Sequence, residues 1–189
     1  GDDAWAATPG GRRIAAAAGA AIARELAASK TAAAAALAAT VRRHEARHAI
    51  DLATREPLDP PALARYVPMN AALVRRSRAE LSAYLSQIAS DPVTPQLGLW
   101  NLANLGFDAH LRGTAETFVA AVVIEGLARH EGIPGSVTPA IHNGVVDRAH
   151  LEALALPLAA LSDDELRRAA RELWLDLYHT PIEPIVDDP

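Results

Sequence analysis

A short run of chemically capable side chains lies near the end of the first quarter of the chain. From His44 to His48 it reads His-Glu-Ala-Arg-His. Histidines four residues apart leave the same side of an α-helix, so both imidazoles can ligate one metal ion. Glu45 is rotated by about 100° from His44, so it flanks the pair. There it can take a proton from a zinc-bound water, whose pKa is lowered to about 7. We therefore predict zinc bound by His44 and His48, with Glu45 as general base.

The flanking residues predict the helix that this arrangement needs, running from a cap at Thr31 to about Thr54. Apolar residues and the histidines share one stripe at helical spacing: Leu37, Val41, His44, His48 and Leu52. We expect this stripe to point into the protein. Buried imidazoles need partners, and a metal ion would satisfy them. The alternative is a pair of core histidines with ordinary hydrogen-bond partners.

A third ligand must come from another element, because a catalytic zinc usually has three protein ligands. Our first choice is Glu80, on the next long predicted helix. A proline-rich loop between the two helices lets the second pack back against the first. The alternative for Glu80 is a solvated acid among neighbouring arginines. Glu56, which precedes Pro57 at the end of the first helix, is the second choice.

Three further side chains are candidates for supporting roles. Asp51 follows His48 by three residues and would accept a hydrogen bond from a ligand imidazole; the alternative is a solvated carboxylate at the helix end. Stabilising the oxyanion of a hydrated amide needs an additional donor. Tyr84, one turn after Glu80, and Tyr66, in the loop between the helices, are the candidates for that role.

The other histidines and nearby arginines carry less information. The histidines are scattered singly, and we interpret them as surface or helix-end residues: His110, His130, His142, His150 and His179. His142 is the first of these to test, because it adjoins the Asn143-Gly144 turn and loops often carry functional groups. Three arginines surround the motif, where they would bind a substrate carboxylate or lie in solvent: Arg42, Arg43 and Arg47.

The two segments together resemble the zincin metallopeptidases, and within them the gluzincins. The run from His44 to Asp51 looks like the His-Glu-x-x-His-Ala-x-Asp version in the catalytic domain of anthrax lethal factor and its relatives. Glu80-Leu81-Ser82-Ala83 is similar to the Glu-x-x-Ala pattern around their third ligand. The resemblance implies Zn²⁺ held by His44, His48 and Glu80, Glu45 as the base, and a peptide or protein substrate.

The chain also departs from this family. Zincins of this kind usually place a small sheet before the metal helix, and its edge strand holds an extended peptide. Here the preceding sequence predicts helices only. A second hypothesis is therefore a binding or scaffold domain that retains the metal site. A carboxylate–histidine site for iron or manganese, which would need Glu-x-x-His pairs on facing helices, ranks last.

Composition predicts a single, predominantly α domain over residues 1–189, with little or no sheet. Half of the residues are hydrophobic, mostly alanine and leucine, which favours close-packed helices. The absence of cysteine excludes disulfides and thiolate ligands. The net charge of −5 comes without a basic stripe, so we expect no nucleic-acid partner. No apolar run is long enough for a membrane span, and no oligomeric state is assigned.

Helix signals and breakers divide the chain into five to seven helices. We predict helices over 12–29, 31–54, 70–90, 114–130, 149–160 and, after a capping box at Ser162, to Tyr178. The segment 97–105 is either a helix or a short strand, and 133–144 is a loop. Residues 1–11 and 181–189 are expected to be extended tails. The alanine excess, with Lys30 the only lysine among many arginines, is typical of a GC-rich bacterial genome. The start at Gly1 predicts a processed or trimmed chain; a periplasmic or secreted protein would fit, and the compartment stays open.

Overall fold

The chain folds into seven helices and one short hairpin within the residues that the structure, a computed structural model, describes. These residues are 8–54, 60, 63, 66–67, 70–108, 111, 113–183 and 185. The predominantly α fold is thus confirmed. The elements are α1 (Pro9–Ala28), α2 (Lys30–Thr54), α3 (Ala71–Ser90), α4 (Pro95–Phe107), α5 (Ala115–His130), β1 (Ile141–His142), β2 (Val145–Val146), α6 (Arg148–Leu158) and α7 (Asp163–Tyr178).

Local signals define several of these boundaries as predicted. The Ser162 hydroxyl and the Glu165 side chain form a reciprocal capping box at the start of α7. Asn70 caps α3 by accepting from the backbone N–H groups of Ala72 and Leu73. The undecided segment 97–105 lies in the helix α4.

Two predicted helix starts were wrong. The loop expected through Gly11 is the first turn of α1, because Thr8 is its N-cap and Pro9 supplies a preset helical φ. Helix α2 begins at Lys30, and the Ser29 hydroxyl, rather than Thr31, accepts from the N–H of Ala32 at 2.9 Å. The predicted loop at 133–144 ends in the hairpin, where Asn143 and Gly144 adopt the positive φ values of 51° and 76° that a tight turn requires.

The hydrophobic core is centred on α5. This helix is buried on nearly all sides from Ala115 to Ala128, so it is apolar around its circumference. Helices α3, α4, α6 and α7 pack against it. Helix α2 lies outside and contacts α1 and α3. No helix in the described part of the chain combines the length and apolarity needed to cross a bilayer.

The face that α2 buries differs from the prediction. Val41 and Leu52 of the expected apolar stripe are 60% and 83% exposed. The helix instead buries Ala33, Thr40, Arg43 and Arg47. This face is rotated by roughly a quarter turn from the predicted one. Alanine allows close helix approach, and buried polar side chains can be satisfied by partners on neighbouring helices. The two histidines consequently lie at the edge of the interface.

The packing of α5 against α7 leads to a stability prediction at Gly126. A Cβ at this position would lie 2.5 Å from both Cδ atoms of Leu173, which is itself buried. We expect Gly126→Ala to lower the free energy of unfolding by about 1–3 kcal/mol through overpacking. Gly19→Ala is the matched control, because no heavy atom lies within 4 Å of its Cβ and alanine has the better helix propensity. Denaturant unfolding in which both variants were at least as stable as wild type would contradict this packing.

Candidate metal centre

Two imidazoles on α2 face each other across one helical turn. The Nε2 atoms of His44 and His48 lie 3.2 Å apart. Their rings are nearly perpendicular, with centroids 4.8 Å apart. Only a protonated Nε2 can donate between them, whereas two unprotonated nitrogens at this separation can ligate one ion.

Helix α3 brings a carboxylate to the same point. The Oε2 atom of Glu80 lies 3.5 Å from Nε2 of His44. One ligand atom from each of His44, His48 and Glu80 lies within 4.8 Å of the other two. No other such trio of histidines and acids occurs in the part of the chain that the structure describes.

Two of the three separations fit a tetrahedral ion. Ligands at 2.0–2.1 Å in tetrahedral geometry are about 3.3 Å from one another, close to the 3.2 Å between the two imidazoles and the 3.5 Å between His44 and Glu80. The third pair, His48 and Glu80, lies within 4.8 Å, so a small side-chain adjustment would bring all three atoms onto one ion. The donor set of two imidazoles and a carboxylate is one that zinc accepts at catalytic sites. The side chains of His44 and Glu80 are 15% and 19% exposed, so the cluster is sheltered but reachable from solvent.

The surroundings keep Glu80 ionised. The hydrogen bond with His44 lowers the pKa of Glu80; partial burial opposes this. The charges of His44 and His48, which exist when the imidazoles are protonated, and that of Arg76 lower the pKa further. A carboxylate must be deprotonated to ligate a metal, so the low pKa favours the ligand form.

Tyr84 is adjacent to the cluster. Its ring packs against that of His44 at a centroid distance of 4.7 Å. Burial, together with the negative charges of Glu80 and Glu116, raises the pKa of Tyr84 to about 12. The phenol therefore keeps its proton at neutral pH and can donate a hydrogen bond, as the predicted role requires.

The structure places Glu45 on the solvent side of α2, next in sequence to His44. It is exposed, and it flanks the histidines instead of sharing their buried edge. A carboxylate at this position is open to incoming water and substrate. The general-base role stays a prediction.

Asp51 has a different set of partners from the one predicted. One carboxylate oxygen pairs with the guanidinium of Arg47 at 2.6 Å, and the other accepts from the Ser82 hydroxyl. Neither histidine is among its hydrogen-bond or ion-pair partners in the described part of the chain. The carboxylate faces α3 because the buried face of α2 is rotated from the predicted one. Asp51 therefore joins α2 to α3 and does not orient an imidazole directly.

Tyr66 lies against another carboxylate. It is buried, and its hydroxyl donates to Glu125 on α5. The other Glu125 oxygen accepts from the backbone N–H of Ala140. Sequence reasoning missed Glu125; the available signal was a single acid within the apolar run of α5, which predicts a buried and satisfied carboxylate.

This contact leads to a prediction that separates structural from functional roles for Tyr66. We expect Tyr66→Phe to lower the free energy of unfolding by about 1–3 kcal/mol, because Glu125 would lose a buried donor. Zinc affinity should be unchanged. Denaturant unfolding and a zinc titration on the same variant test both parts. If Tyr66→Phe had unchanged stability but lost hydrolytic activity, Tyr66 would instead be assigned as the oxyanion donor.

Of the three arginines around the motif, Arg42 is exposed, whereas Arg43 and Arg47 are buried. Arg47 pairs with Asp51, so it is neither solvated nor positioned to bind a substrate carboxylate. Glu56 and His110 lie outside the described residues.

The four remaining isolated histidines have separate environments. His130 lies between the carboxylates of Glu172 and Asp176, and His150 Nε2 is 3.0 Å from the Thr138 carbonyl oxygen. His142 is exposed on β1, and His179 adopts the left-handed conformation after α7.

Comparison with known proteins adds no relative. No protein-family model, curated protein or solved structure matches this chain. The site must therefore be interpreted from its own geometry.

Proposed function

We propose that the protein is a zinc-dependent hydrolase, and that its substrates are peptides or proteins. The observation that carries the proposal is the convergence of His44, His48 and Glu80, whose ligand atoms lie within 4.8 Å of one another, with the two separations from His44 close to those around a tetrahedral ion. Three protein ligands leave a fourth position for water or substrate, which is the pattern of catalytic rather than structural zinc.

In this proposal, different residues bind the metal, transfer the proton and stabilise the oxyanion. His44, His48 and Glu80 would hold the zinc, which supplies a Lewis acid and lowers the pKa of a bound water. Glu45 accepts a proton from the attacking water on its carboxylate and delivers it to the nitrogen of the leaving amine. Tyr84 keeps its phenolic proton and donates it in a hydrogen bond to the oxyanion.

A scaffold or binding domain with a retained metal site is the second candidate. One observation favours it: in the described residues, the only strands are those of the hairpin at 141–146, far downstream of α2. An edge strand that could hold an extended peptide beside the metal helix is thus missing from the described part of the chain. This candidate predicts bound zinc and no cleavage of any peptide.

Zinc content and peptide cleavage test the proposal together. After dialysis, elemental analysis should find one zinc per chain. A mixed peptide library should be cleaved, cleavage should stop after chelation, and zinc should restore it. Stoichiometric zinc without cleavage would favour the scaffold function, and a protein that retains no zinc would contradict both candidates.

A further inference from the structure

Helix α2 carries two of the three candidate ligands, yet apolar burial does little to fix its position. None of its described residues belongs to the hydrophobic core cluster. Its buried face instead consists of alanine, threonine and arginine side chains. A face without large interlocking apolar side chains does little to prevent α2 from sliding along α3. The position of α2 along α3 must therefore depend strongly on specific polar contacts.

One of these contacts lies directly beside the candidate metal centre. The Ser82 hydroxyl of α3 donates to Asp51 of α2. Along their helices, Asp51 is three residues after His48, and Ser82 is two residues after Glu80. At about 1.5 Å of rise per residue, the contact is within about one turn of a ligand on each helix. It therefore joins the two halves of the ligand set at short range.

Arg47 fixes the Asp51 carboxylate. Its guanidinium forms the 2.6 Å ion pair with Asp51 and stacks over the ring of Trp174, 4.6 Å from the centroid. Trp174 is buried in α7. A guanidinium held between an aromatic face and a carboxylate has little rotational freedom. The acceptor for Ser82 is thereby held in one orientation.

We propose that Asp51 and Ser82 are positioning residues of the metal centre, which set the distance between the histidines of α2 and Glu80 of α3. This inference rests on the proposed zinc site. Residues outside the ligand set that orient ligands typically change metal affinity by about 10–100-fold when they are removed. Ser82 does not contact an imidazole. It would orient the ligands indirectly, by holding α3 in place against α2 through its hydrogen bond to Asp51.

Ser82→Ala tests the inference with the smallest possible change, the loss of one buried hydroxyl. We expect zinc affinity, measured by competition with a chromophoric chelator, to fall by about 10–100-fold. The visible absorption of the cobalt-substituted protein should also change, because it reports the geometry of the ligands. Asp51→Asn, which keeps the shape of the side chain but weakens the acceptor, should act in the same direction.

Thr40→Val is the matched control. It removes another hydroxyl that donates to a carboxylate across the same helix pair, since Thr40 Oγ1 lies 2.5 Å from Asp91 Oδ2. Thr40 is one turn before His44 on α2, but Asp91, the residue after the end of α3, is eleven residues after Glu80, about 16 Å along the helix axis, so this contact is near a ligand on one helix only. We expect this variant to keep nearly wild-type zinc affinity and cobalt absorption, even where its thermal stability falls.

The outcomes are distinguishable. Reduced affinity and altered cobalt absorption in the Ser82 and Asp51 variants, with the Thr40 variant close to wild type, would support the inference. If wild type binds zinc and Ser82→Ala binds it with the same affinity, the positioning role is overturned and the proposed function is unaffected. Equal losses in all three variants would also overturn it, because they would indicate a general loss of helix packing. A wild-type protein that binds no zinc would overturn both proposals.

Discussion

Zinc binding is expected to be lost when His48 is replaced by alanine. The two imidazoles supply two of the three candidate ligands, and their Nε2 atoms are only 3.2 Å apart. Removing one leaves an imidazole and a carboxylate, which are too few to hold zinc against buffer and chelators. We expect affinity to fall by more than about 100-fold, a larger effect than the loss of a supporting contact.

The effect of His48→Ala should be specific to the site. His142→Ala is the matched control, because His142 is exposed on β1 and belongs to no candidate metal group in the described residues. A zinc titration of both variants, followed by circular dichroism to show that α2 is still helical, measures the difference. Equal zinc affinities for the two variants would contradict the assignment of His48 as a ligand.

Hydrolytic turnover is expected to fall by about 10²–10⁴-fold in Glu45→Gln, the range for loss of a general acid–base group. Glutamine has nearly the same shape as glutamate but cannot accept a proton from water. Since Glu45 lies on the solvent side of α2, outside the ligand cluster, zinc stoichiometry should be unchanged. Peptide cleavage rates and zinc content, measured on the same preparation, separate catalysis from metal binding.

A matched substitution shows whether the loss of turnover comes from this position. Glu25→Gln makes the same chemical change on α1, a helix that carries none of the candidate ligands, and should leave turnover at the wild-type level. Full activity in Glu45→Gln would show that another group activates the water. Loss of zinc in Glu45→Gln would indicate that Glu45 contributes to metal binding.

The elements that were predictable are those with local chemical signals. The capping box at Ser162 and the cap at Asn70 define helix starts through hydrogen bonds within one turn, so neighbouring residues suffice to locate them. The four-residue spacing of His44 and His48 similarly defines a pair on one helix face. The proximity of Glu80 was predictable only as a choice between two acids, because it depends on how α3 packs against α2.

The buried face of α2 could not be predicted in this way. A stripe containing Leu37, Val41 and Leu52 was the expected core face because large apolar side chains usually bury the most surface. The helix buries Thr40 and Arg47 instead, because their partners, Asp91, Asp51 and Trp174, come together only in the folded protein. The contacts of Asp51 with Arg47 and Ser82 were not predicted for the same reason.

We expect one divalent ion between α2 and α3, bound by His44, His48 and Glu80. Crystals grown with zinc, measured on both sides of the zinc absorption edge, test it most directly through anomalous scattering. We expect one strong anomalous peak about 2.0–2.1 Å from both Nε2 atoms and within about 2.2 Å of a Glu80 oxygen. A zinc-containing crystal with no peak at that point, or with its peak on other residues, would show that these three side chains do not form a zinc site.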